Sequence, residues 1–239
     1  GFYAHICGGV EWTAEAMDAL KEIKIISRIG VGYETVDIPA ATERGIAVTT
    51  TPGAGAETVS EFAFTLLAVM SRKIFENDRM VRSGGWDTIT GRSFYRKTLG
   101  IIGLGLIGKQ LAKWVESFGM KVIAYDISED NEYAKANSIT YVPLEELLKT
   151  SDYISLHLPL SEFTRNLIGE KELALMKPTA QIINTARGGI INESALYNAL
   201  KNGIIDSAAL DVFENEPIEP SNPLLKLNNV IFTPHIAGS

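Results

Sequence analysis

Residues 99–108, LGIIGLGLIG, constrain the fold more than any other stretch of the 239-residue chain. An apolar run of the length of a buried strand ends at Gly103, and the apolar spacing from Ile107 to Phe118 predicts a helix. A second predicted strand covers residues 121–125 and is followed directly by Asp126. Strand, Gly-x-Gly-x-x-Gly, helix, strand and acid together form the fingerprint of a dinucleotide-binding unit.

Each glycine of this motif has a physical task. Gly103 would make the tight turn, Gly105 would let the backbone approach a pyrophosphate, and Gly108 would let the helix pack close to the strand. The amide groups at the start of the helix would face the phosphates. Glycines also mark ordinary turns, so the motif alone is weak. The acid 18 residues after Gly108 favours a cofactor site over a structural turn.

Composition and charge exclude several classes of protein. With 46% hydrophobic and 21% charged residues, the chain can bury a sizeable core. The net charge of −7 and the lack of a basic run argue against nucleic-acid binding. We expect no membrane partner, because no apolar run is long enough to span a bilayer. The single cysteine, Cys7, indicates a reducing, cytoplasmic compartment, and we expect no metal site, because no ligand cluster is visible.

The order of elements predicts an α/β fold. After Gly103, strand-like runs alternate with helical stretches, which is typical of a doubly wound parallel (Rossmann) sheet. Before it, the short strands in KIISRIG and GIAVTTT predict a smaller second domain over residues 1–56. We expect one long helix, from about Glu57 to Arg82, to join the two.

Several chemically capable residues follow predicted strands, where sheets of this type bind ligands. The three histidines are the natural proton-transfer candidates. His5 has no acid nearby in the sequence, and His157, just before Pro159, could equally be a packed ring or a cofactor contact. His235 lies in the turn TPHIAGS and is the best acid/base candidate by elimination.

Two further candidates are less distinctive. Arg187, in the loop TARGG, could direct its guanidinium at a carboxylate, although a lone arginine is more often a solvated surface residue. Glu216 is one of three neighbouring glutamates, and the sequence pattern alone does not select it.

Six stretches, in order along the chain, resemble the D-isomer-specific 2-hydroxyacid dehydrogenase family. They are ISRIGVGYETVD, LGIIGLGLIGKQLAKWVESFGMKVIAYD, HLPLSEFTRNLI, INTARGGIIN, ALDVFENEP and TPHIAGS. Among the branches of the family, the chain is most similar to D-3-phosphoglycerate dehydrogenase. The resemblance implies an NAD-dependent oxidoreductase that transfers a hydride between nicotinamide and C2 of a D-2-hydroxyacid or 2-keto acid, with D-3-phosphoglycerate as the expected substrate.

The resemblance also assigns roles to residues of this chain. It implies that Arg187 binds the substrate, that His235 is the acid/base, and that Glu216 orients His235. Arg28, Val31 and Gly32 would bind the anionic substrate. The implied cofactor contacts come from Gly103, Gly105, Leu106, Ile107, Gly108, Asp126, His157, Pro159, Thr164, Thr185, Ala186, Arg187, Asp211, His235 and Gly238.

The domain organisation that the resemblance implies is a flavodoxin-like substrate domain over residues 1–56, an NAD-binding domain over 57–236, and the start of a return to the substrate domain at 237–239. We expect the substrate domain to be incomplete, because family chains extend past both ends of this one. The resemblance further implies a homodimer formed through the NAD-binding domain.

Two alternatives remain open at this level. One is a glyoxylate/hydroxypyruvate reductase, and the other is a non-catalytic, NAD-sensing corepressor. Arg28, just before the loop at Val31, favours the phosphoglycerate branch, unless it is a surface arginine paired with an acid such as Glu34.

Overall fold

The computed structural model describes residues 2–239. The chain divides into two compact units, of which the first runs to Ala56 and includes Gly238, and the second comprises Glu57–Ala237 and Ser239. That the first unit serves the substrate stays a prediction.

The first unit contains a three-stranded parallel sheet in the order β1-β2-β3. Its elements are β1 (Ala4–Cys7), α1 (Ala14–Ala19), β2 (Ile25–Arg28), α2 (Ile38–Glu43) and β3 (Ala47–Thr49). Both helices begin at a capping side chain: Thr13 accepts the amide of Ala16, and Asp37 accepts that of Ala40. Trp12, Met17 and Ile26 are buried at the centre of this unit.

The second unit is built on a seven-stranded parallel sheet in the order β10-β9-β8-β7-β4-β5-β6. Its strands are β4 (Thr98–Ile102), β5 (Lys121–Tyr125), β6 (Thr140–Tyr141), β7 (Tyr153–Leu156), β8 (Gln181–Asn184), β9 (Ser207–Leu210) and β10 (Val230–Phe232). The strand order reverses direction between β4 and β7, where sheets of this class bind their ligands. The predicted doubly wound sheet is confirmed.

Helices connect these strands. They are α3 (Ala56–Ser71), α4 (Ile74–Arg82), α5 (Leu106–Glu116), α6 (Asn131–Ala136), α7 (Leu144–Thr150), α8 (Glu170–Leu175) and α9 (Glu193–Lys201), and a 3₁₀ turn covers Pro223–Lys226. No helix within residues 2–239 combines the length and apolar character needed to cross a membrane.

The prediction of a single long helix between Glu57 and Arg82 is wrong, because the structure has two helices there. Lys73 adopts a left-handed backbone conformation with φ of 53° and ends the first helix. Its ammonium group lies 3.2 Å from Asp206 and 3.4 Å from Glu76. Asp206 lies 133 positions from Lys73 in the sequence, so the local helical pattern carries no sign of this contact at the break.

The sheet buries both of its faces. Successive residues on a strand point to opposite sides, so Ile101 and Ile183 belong to one apolar cluster while Ile102 and Ile182 belong to the other. Helices cover both clusters, as in other parallel sheets. The polar residues that follow the strands are thereby gathered along the carboxyl edge of the sheet.

Candidate active site

The turn after β4 is shaped by two glycines. Gly103 has φ of 97°, and a β-carbon there would lie 2.5 Å from the carbonyl oxygen of His157. A β-carbon at Gly108 would lie 2.4 Å from the carbonyl oxygen of Gly103. Both positions therefore exclude a side chain: Gly103 because of the tight turn, and Gly108 because α5 packs closely against that turn.

The start of α5 is open. A β-carbon at Gly105 would meet no described atom within 4 Å, and this N-cap residue offers no side chain to the first helical amides. The next residue, Leu106, is 65% exposed, and Ile107 is half-buried. The amides at this helix start can therefore receive an anion such as a pyrophosphate.

Asp126 lies directly after β5 and is bound to the glycine turn. Its two carboxylate oxygens accept the amide of Leu104 at 2.8 Å and the amide of Ser128 at 2.9 Å. A carboxylate can accept about four hydrogen bonds, so each oxygen retains capacity for a ligand hydroxyl. The predicted acid thus lies beside the predicted phosphate turn.

Two buried polar atoms at the ends of β7 and β8 have no hydrogen-bond partner among the described residues: Nδ1 of His157 and Oγ1 of Thr185. The other ring nitrogen of His157 lies 2.9 Å from the hydroxyl of Ser155. Burial lowers the pKa of His157 to about 4, so the ring is neutral at pH 7. Buried polar groups are normally satisfied, so two unpartnered atoms at one edge favour a ligand there.

The loop after β8 is held by Asn184, the last residue of that strand. Its side chain accepts the amide of Ala186 at 3.0 Å and donates to the carbonyl of Arg187 at 2.9 Å. The Arg187 side chain is half-buried, and its Nη1 donates to the carbonyl of Ala186 at 2.7 Å. Arg187 is therefore part of an ordered loop rather than a fully solvated residue.

This loop lies directly against the chain after β9. A β-carbon at Gly188 would lie 1.7 Å from the carbonyl oxygen of Phe213, so only glycine permits the approach. Glu216 accepts the amide of Phe213 at 2.9 Å through one carboxylate oxygen. Gly188 thus brings the loop of Arg187 next to the segment that positions Glu216.

Glu216 and His235 form a hydrogen-bonded pair. The second carboxylate oxygen of Glu216 lies 2.6 Å from Nδ1 of His235. The His235 side chain is half exposed, so its other nitrogen, Nε2, can exchange protons with a ligand. Among three neighbouring glutamates, the geometry selects Glu216 as the histidine's partner.

Asp211 is completely buried at the end of β9. Its carboxylate accepts the hydroxyl of Thr233 at 2.5 Å and the amides of Ile236 and Ala237 at 3.0 and 2.9 Å. Asp211 therefore holds the turn that carries His235. Its expected contact with the cofactor stays a prediction.

The remaining predicted cofactor residues lie farther along the edge or outside this unit's sheet. The hydroxyl of Thr164 donates to the carbonyl of Pro159 at 2.7 Å and accepts the amide of Ser161 at 2.7 Å, which folds the loop after β7. Gly238 groups with the first unit. The cofactor contacts expected of these residues stay predictions.

The predicted substrate residues Arg28, Val31 and Gly32 lie in the first unit. Arg28 is only 7% exposed, so it is not the solvated surface arginine of the alternative interpretation. Its Nε donates to the carbonyl of Gly32 at 3.1 Å, and its buried Nη1 has no partner among the residues that the structure describes. Val31 is exposed beside it.

Sequence reasoning missed Asn184, Ser155 and Thr233, which hold other site residues in place. Asn184 and Ser155 are polar residues within fully buried strands. A polar residue in such a run is a signal that could have found them, because buried polar groups need partners. Thr233 has no comparable signal.

The carboxyl edge of the sheet is suited to NAD. Three features lie along it: the start of α5, where Gly105 offers no capping side chain, the fixed carboxylate of Asp126, and the unpartnered atoms of His157 and Thr185. The pair of Glu216 and His235 adds a group capable of proton transfer at the same edge. In the described part of the chain, no group of three or more His, Cys, Asp or Glu residues could hold a metal ion.

Comparison with known proteins agrees with this geometry. The model of the D-isomer specific 2-hydroxyacid dehydrogenase NAD binding domain matches residues 64–237. A glyoxylate reductase of Korarchaeum cryptofilum is 46% identical over 95% of this chain and 70% of its own length. A D-3-phosphoglycerate dehydrogenase of Methanocaldococcus jannaschii is 44% identical over 97% of this chain and 44% of its own.

A solved structure of D-lactate dehydrogenase from Aquifex aeolicus, complexed with NAD and lactic acid, superposes with a TM-score of 0.87. It is 33% identical to this chain, and the match covers 98% of this chain and 76% of that one. The family model spans more than half of the chain, and the relatives are well above 30% identical. The protein therefore belongs to the D-isomer-specific 2-hydroxyacid dehydrogenase family, and residues 64–237 form its NAD-binding domain.

Proposed function

We propose that this chain carries the catalytic residues of an NAD-dependent oxidoreductase that interconverts a D-2-hydroxyacid and its 2-keto acid. The observation that carries this proposal is the 2.6 Å contact between Glu216 and His235 at the same sheet edge as the glycine turn. Hydride transfer at a carbon that bears a hydroxyl group requires an acid/base group beside the dinucleotide-binding site.

His235 is the proposed proton-transfer residue. When bound, NAD supplies the hydride chemistry at C2 of the substrate. Nδ1 of His235 is held by Glu216, which leaves Nε2 to give a proton to the substrate oxygen during reduction and to take it during oxidation. The carboxylate of Glu216 stabilises the charged imidazolium and fixes the orientation of the ring.

Arg187 is the proposed anchor for the substrate carboxylate. Its loop is fixed by Asn184 and contacts the Glu216 segment at Gly188, which supports a place near His235. A guanidinium fork binds a carboxylate through two parallel hydrogen bonds, which fixes orientation as well as position. For Val31 and Gly32, in the first unit, a role in substrate binding is proposed from the family resemblance.

The substrate has two candidates. The buried guanidinium of Arg28, with Nη1 unpartnered among the described residues, supports an anionic tail and hence D-3-phosphoglycerate. The identities of 46% to a glyoxylate reductase and 44% to a phosphoglycerate dehydrogenase differ too little to choose between these substrates. The relatives named glyoxylate reductase and hydroxypyruvate reductase support glyoxylate or hydroxypyruvate as the second candidate.

A panel of substrates tests this proposal. Purified protein is assayed with NADH and glyoxylate, hydroxypyruvate or 3-phosphohydroxypyruvate, and the loss of NADH absorbance is followed. Turnover of any of them supports the enzyme, and Arg28→Ala should raise KM about tenfold or more for the phosphorylated substrate only. Tight NADH binding without turnover on the whole panel would contradict the proposal and favour the corepressor alternative.

We also propose a cytoplasmic homodimer that forms through the NAD-binding domain. The exposed apolar residues on α4 and the segment after it support a contact surface there; they are Ile74, Phe75, Val81, Trp86 and Ile89. Light scattering on the wild-type protein should give twice the chain mass of 26.0 kDa. Trp86→Asp, which places a charge on this surface, should reduce it to the monomer mass.

A further inference from the structure

The loop between β5 and α6, residues 126–130, carries three carboxylates and is held to the glycine turn and to α5. Its sequence is Asp-Ile-Ser-Glu-Asp, and we call it the acidic loop. At its first residue, Asp126 accepts the amide of Leu104 at 2.8 Å. At its last residue, the carboxylate of Asp130 lies 2.5 Å from Nζ of Lys109, which is in the first turn of α5. Both ends of the acidic loop are therefore attached to the glycine motif.

Lys109 is held from two sides. Its Nζ lies 4.6 Å from the centre of the Tyr133 ring, and its carbonyl accepts the hydroxyl of Tyr133 at 3.1 Å. The Asp130 carboxylate raises the pKa of the Lys109 ammonium group, and Lys109 in turn lowers the pKa of Asp130. The Lys109 side chain is only 27% exposed, although lysine side chains are mostly exposed in proteins. The ammonium group is thus charged at neutral pH, and Asp130 balances its charge.

This ion pair lies a short distance along the chain from the expected ribose site. Asp126 is the carboxylate expected to bind the hydroxyls of the adenosine ribose, and sites that accept a 2′-phosphate provide a cation there. The carboxylate of Asp126 also accepts the amide of Ser128 at 2.9 Å, so the acidic loop turns back and its ends lie closer than the roughly 14 Å of an extended chain. A lysine has a flexible four-carbon stem and binds phosphate well, so Lys109 could supply such a cation if it were free.

We propose that Asp130 is a specificity-determining residue for the dinucleotide, because it binds Lys109 and so keeps that cation from a 2′-phosphate. Asp126 would repel such a phosphate directly, whereas Asp130 acts by holding the lysine that would attract it. This inference deepens the proposed function, since it concerns which dinucleotide the same site accepts. Dinucleotide binding alone tests it, so turnover of a substrate is not required.

Asp130→Asn releases Lys109 with little change to the fold. Asp130 is the N-cap of α6, and its carboxylate accepts the amide of Tyr133 at 3.0 Å. Asparagine caps helices about as well as aspartate does, so the variant removes the charge and keeps the cap. The matched control is Glu145→Gln, which releases Lys149 on α7 and changes the net charge by the same amount. A double variant, Lys109→Gln with Asp130→Asn, removes the released lysine as well.

The dissociation constants of NADH and NADPH are measured for each protein by fluorescence titration at low and high salt. For Asp130→Asn we expect NADPH to bind about tenfold more tightly than to the wild type, because a charge-assisted contact to the phosphate becomes available, while the NADH constant stays within about twofold. The gain should shrink at high salt, where exposed charges are screened. The double variant should return NADPH affinity to the wild-type value, and Glu145→Gln should leave both constants unchanged.

Other outcomes would overturn the proposal. They are an unchanged NADPH affinity in Asp130→Asn, a gain that survives the loss of Lys109, and an equal gain in Glu145→Gln, which would indicate an effect of net charge alone. Weaker binding of both dinucleotides with a lower melting temperature would make the ion pair a purely structural contact. If the wild type binds NADH but turns over no substrate of the panel, the proposed function fails, whereas the comparison of NADH with NADPH still decides the role of Asp130.

Discussion

The two halves of the carboxyl edge of the seven-stranded sheet are built by opposite means. Around β4 and β5, the site is made by leaving side chains out: at Gly103 for the turn, at Gly108 for the close packing of the helix, and at Gly105 so that the helix start stays open. Around β8, β9 and β10, it is made by buried polar side chains that hold loops, above all Asn184 and Asp211. The first half is suited to binding a common cofactor, and the second to orienting reactive side chains.

Because the two halves are built differently, we expect mutations to separate cofactor binding from proton transfer. We expect a change in the glycine half to alter the room for the dinucleotide, and a change in the polar half to alter the geometry of Arg187, Glu216 and His235. The two loops of the polar half touch at Gly188, so they are expected to respond together.

His235→Asn should give the largest loss. Removing one acid/base group costs about 10²–10⁴-fold in rate, so kcat should fall by that factor while NADH affinity stays unchanged. Steady-state kinetics and a fluorescence titration with NADH measure the two quantities. Near-normal kcat in this variant would show that another group transfers the proton.

His157 follows β7, and its carbonyl lies against Gly103 of the glycine half. Its ring should make the free energy of unfolding depend on pH. Burial lowers its pKa from 6.5 to about 4, so the unfolded chain binds a proton more readily than the folded one. The stability that the neutral ring contributes is complete above pH 6.5 and is lost progressively as the pH falls toward 4. The free energy of unfolding should fall by about 2 kcal/mol between pH 7 and pH 5. Urea unfolding at pH 7 and pH 5 measures it.

The control for this prediction is internal to the chain. His157→Gln should lose less stability between pH 7 and pH 5 than the wild type, whereas His5→Gln, which changes an exposed ring packed on Trp12, should behave like the wild type. An identical pH dependence in all three proteins would contradict the account of His157.

The cofactor preference should be for NAD over NADP by at least about tenfold. A 2′-phosphate would meet the carboxylate of Asp126, and two unit charges about 4 Å apart repel by roughly 1 kcal/mol in water and roughly 4 kcal/mol at an effective dielectric constant near 20. A difference of about 1.4 kcal/mol is tenfold. The ratio of kcat/KM for NADH and NADPH measures this preference.

Asp126→Ser provides the comparison, because it removes the charge and keeps a hydrogen-bonding group. The preference should shrink in this variant. Since residues 127–129 are Ile, Ser and Glu, no adjacent cation offsets the repulsion in the wild type. Equal kcat/KM for the two cofactors in the wild type would refute the assignment of Asp126.

The contrast between the two halves also explains what could be predicted from the sequence. The glycine half was visible because its signal is local: Gly103, Gly105, Gly108 and Asp126 lie within one strand-helix-strand unit. The parallel sheet was visible because strand and helix periodicities alternate. In these cases, neighbouring residues in the sequence are also neighbours in space.

The polar half was visible only in part, because its contacts join distant segments. Asp211 binds residues 22 to 26 positions away, and the pairing of Glu216 with His235 spans 19 positions. No local pattern distinguishes Glu216 from its neighbouring glutamates, so its proposed role rests on the family resemblance and on its contact with His235. The close approach at Gly188 and the support from Asn184 became apparent only with the fold.

Separate tasks for the two halves can be measured by titrating NADH into Gly105→Ala and Gly188→Ala and determining kcat for both. The added methyl of Gly105→Ala enters open space where the pyrophosphate is expected, so NADH affinity should weaken at least about tenfold. That of Gly188→Ala would lie 1.7 Å from the Phe213 carbonyl oxygen and must push the loops apart, so kcat should fall about a hundredfold with NADH affinity within about twofold. Equal losses of NADH affinity in the two variants, or an unchanged kcat in Gly188→Ala, would contradict the account.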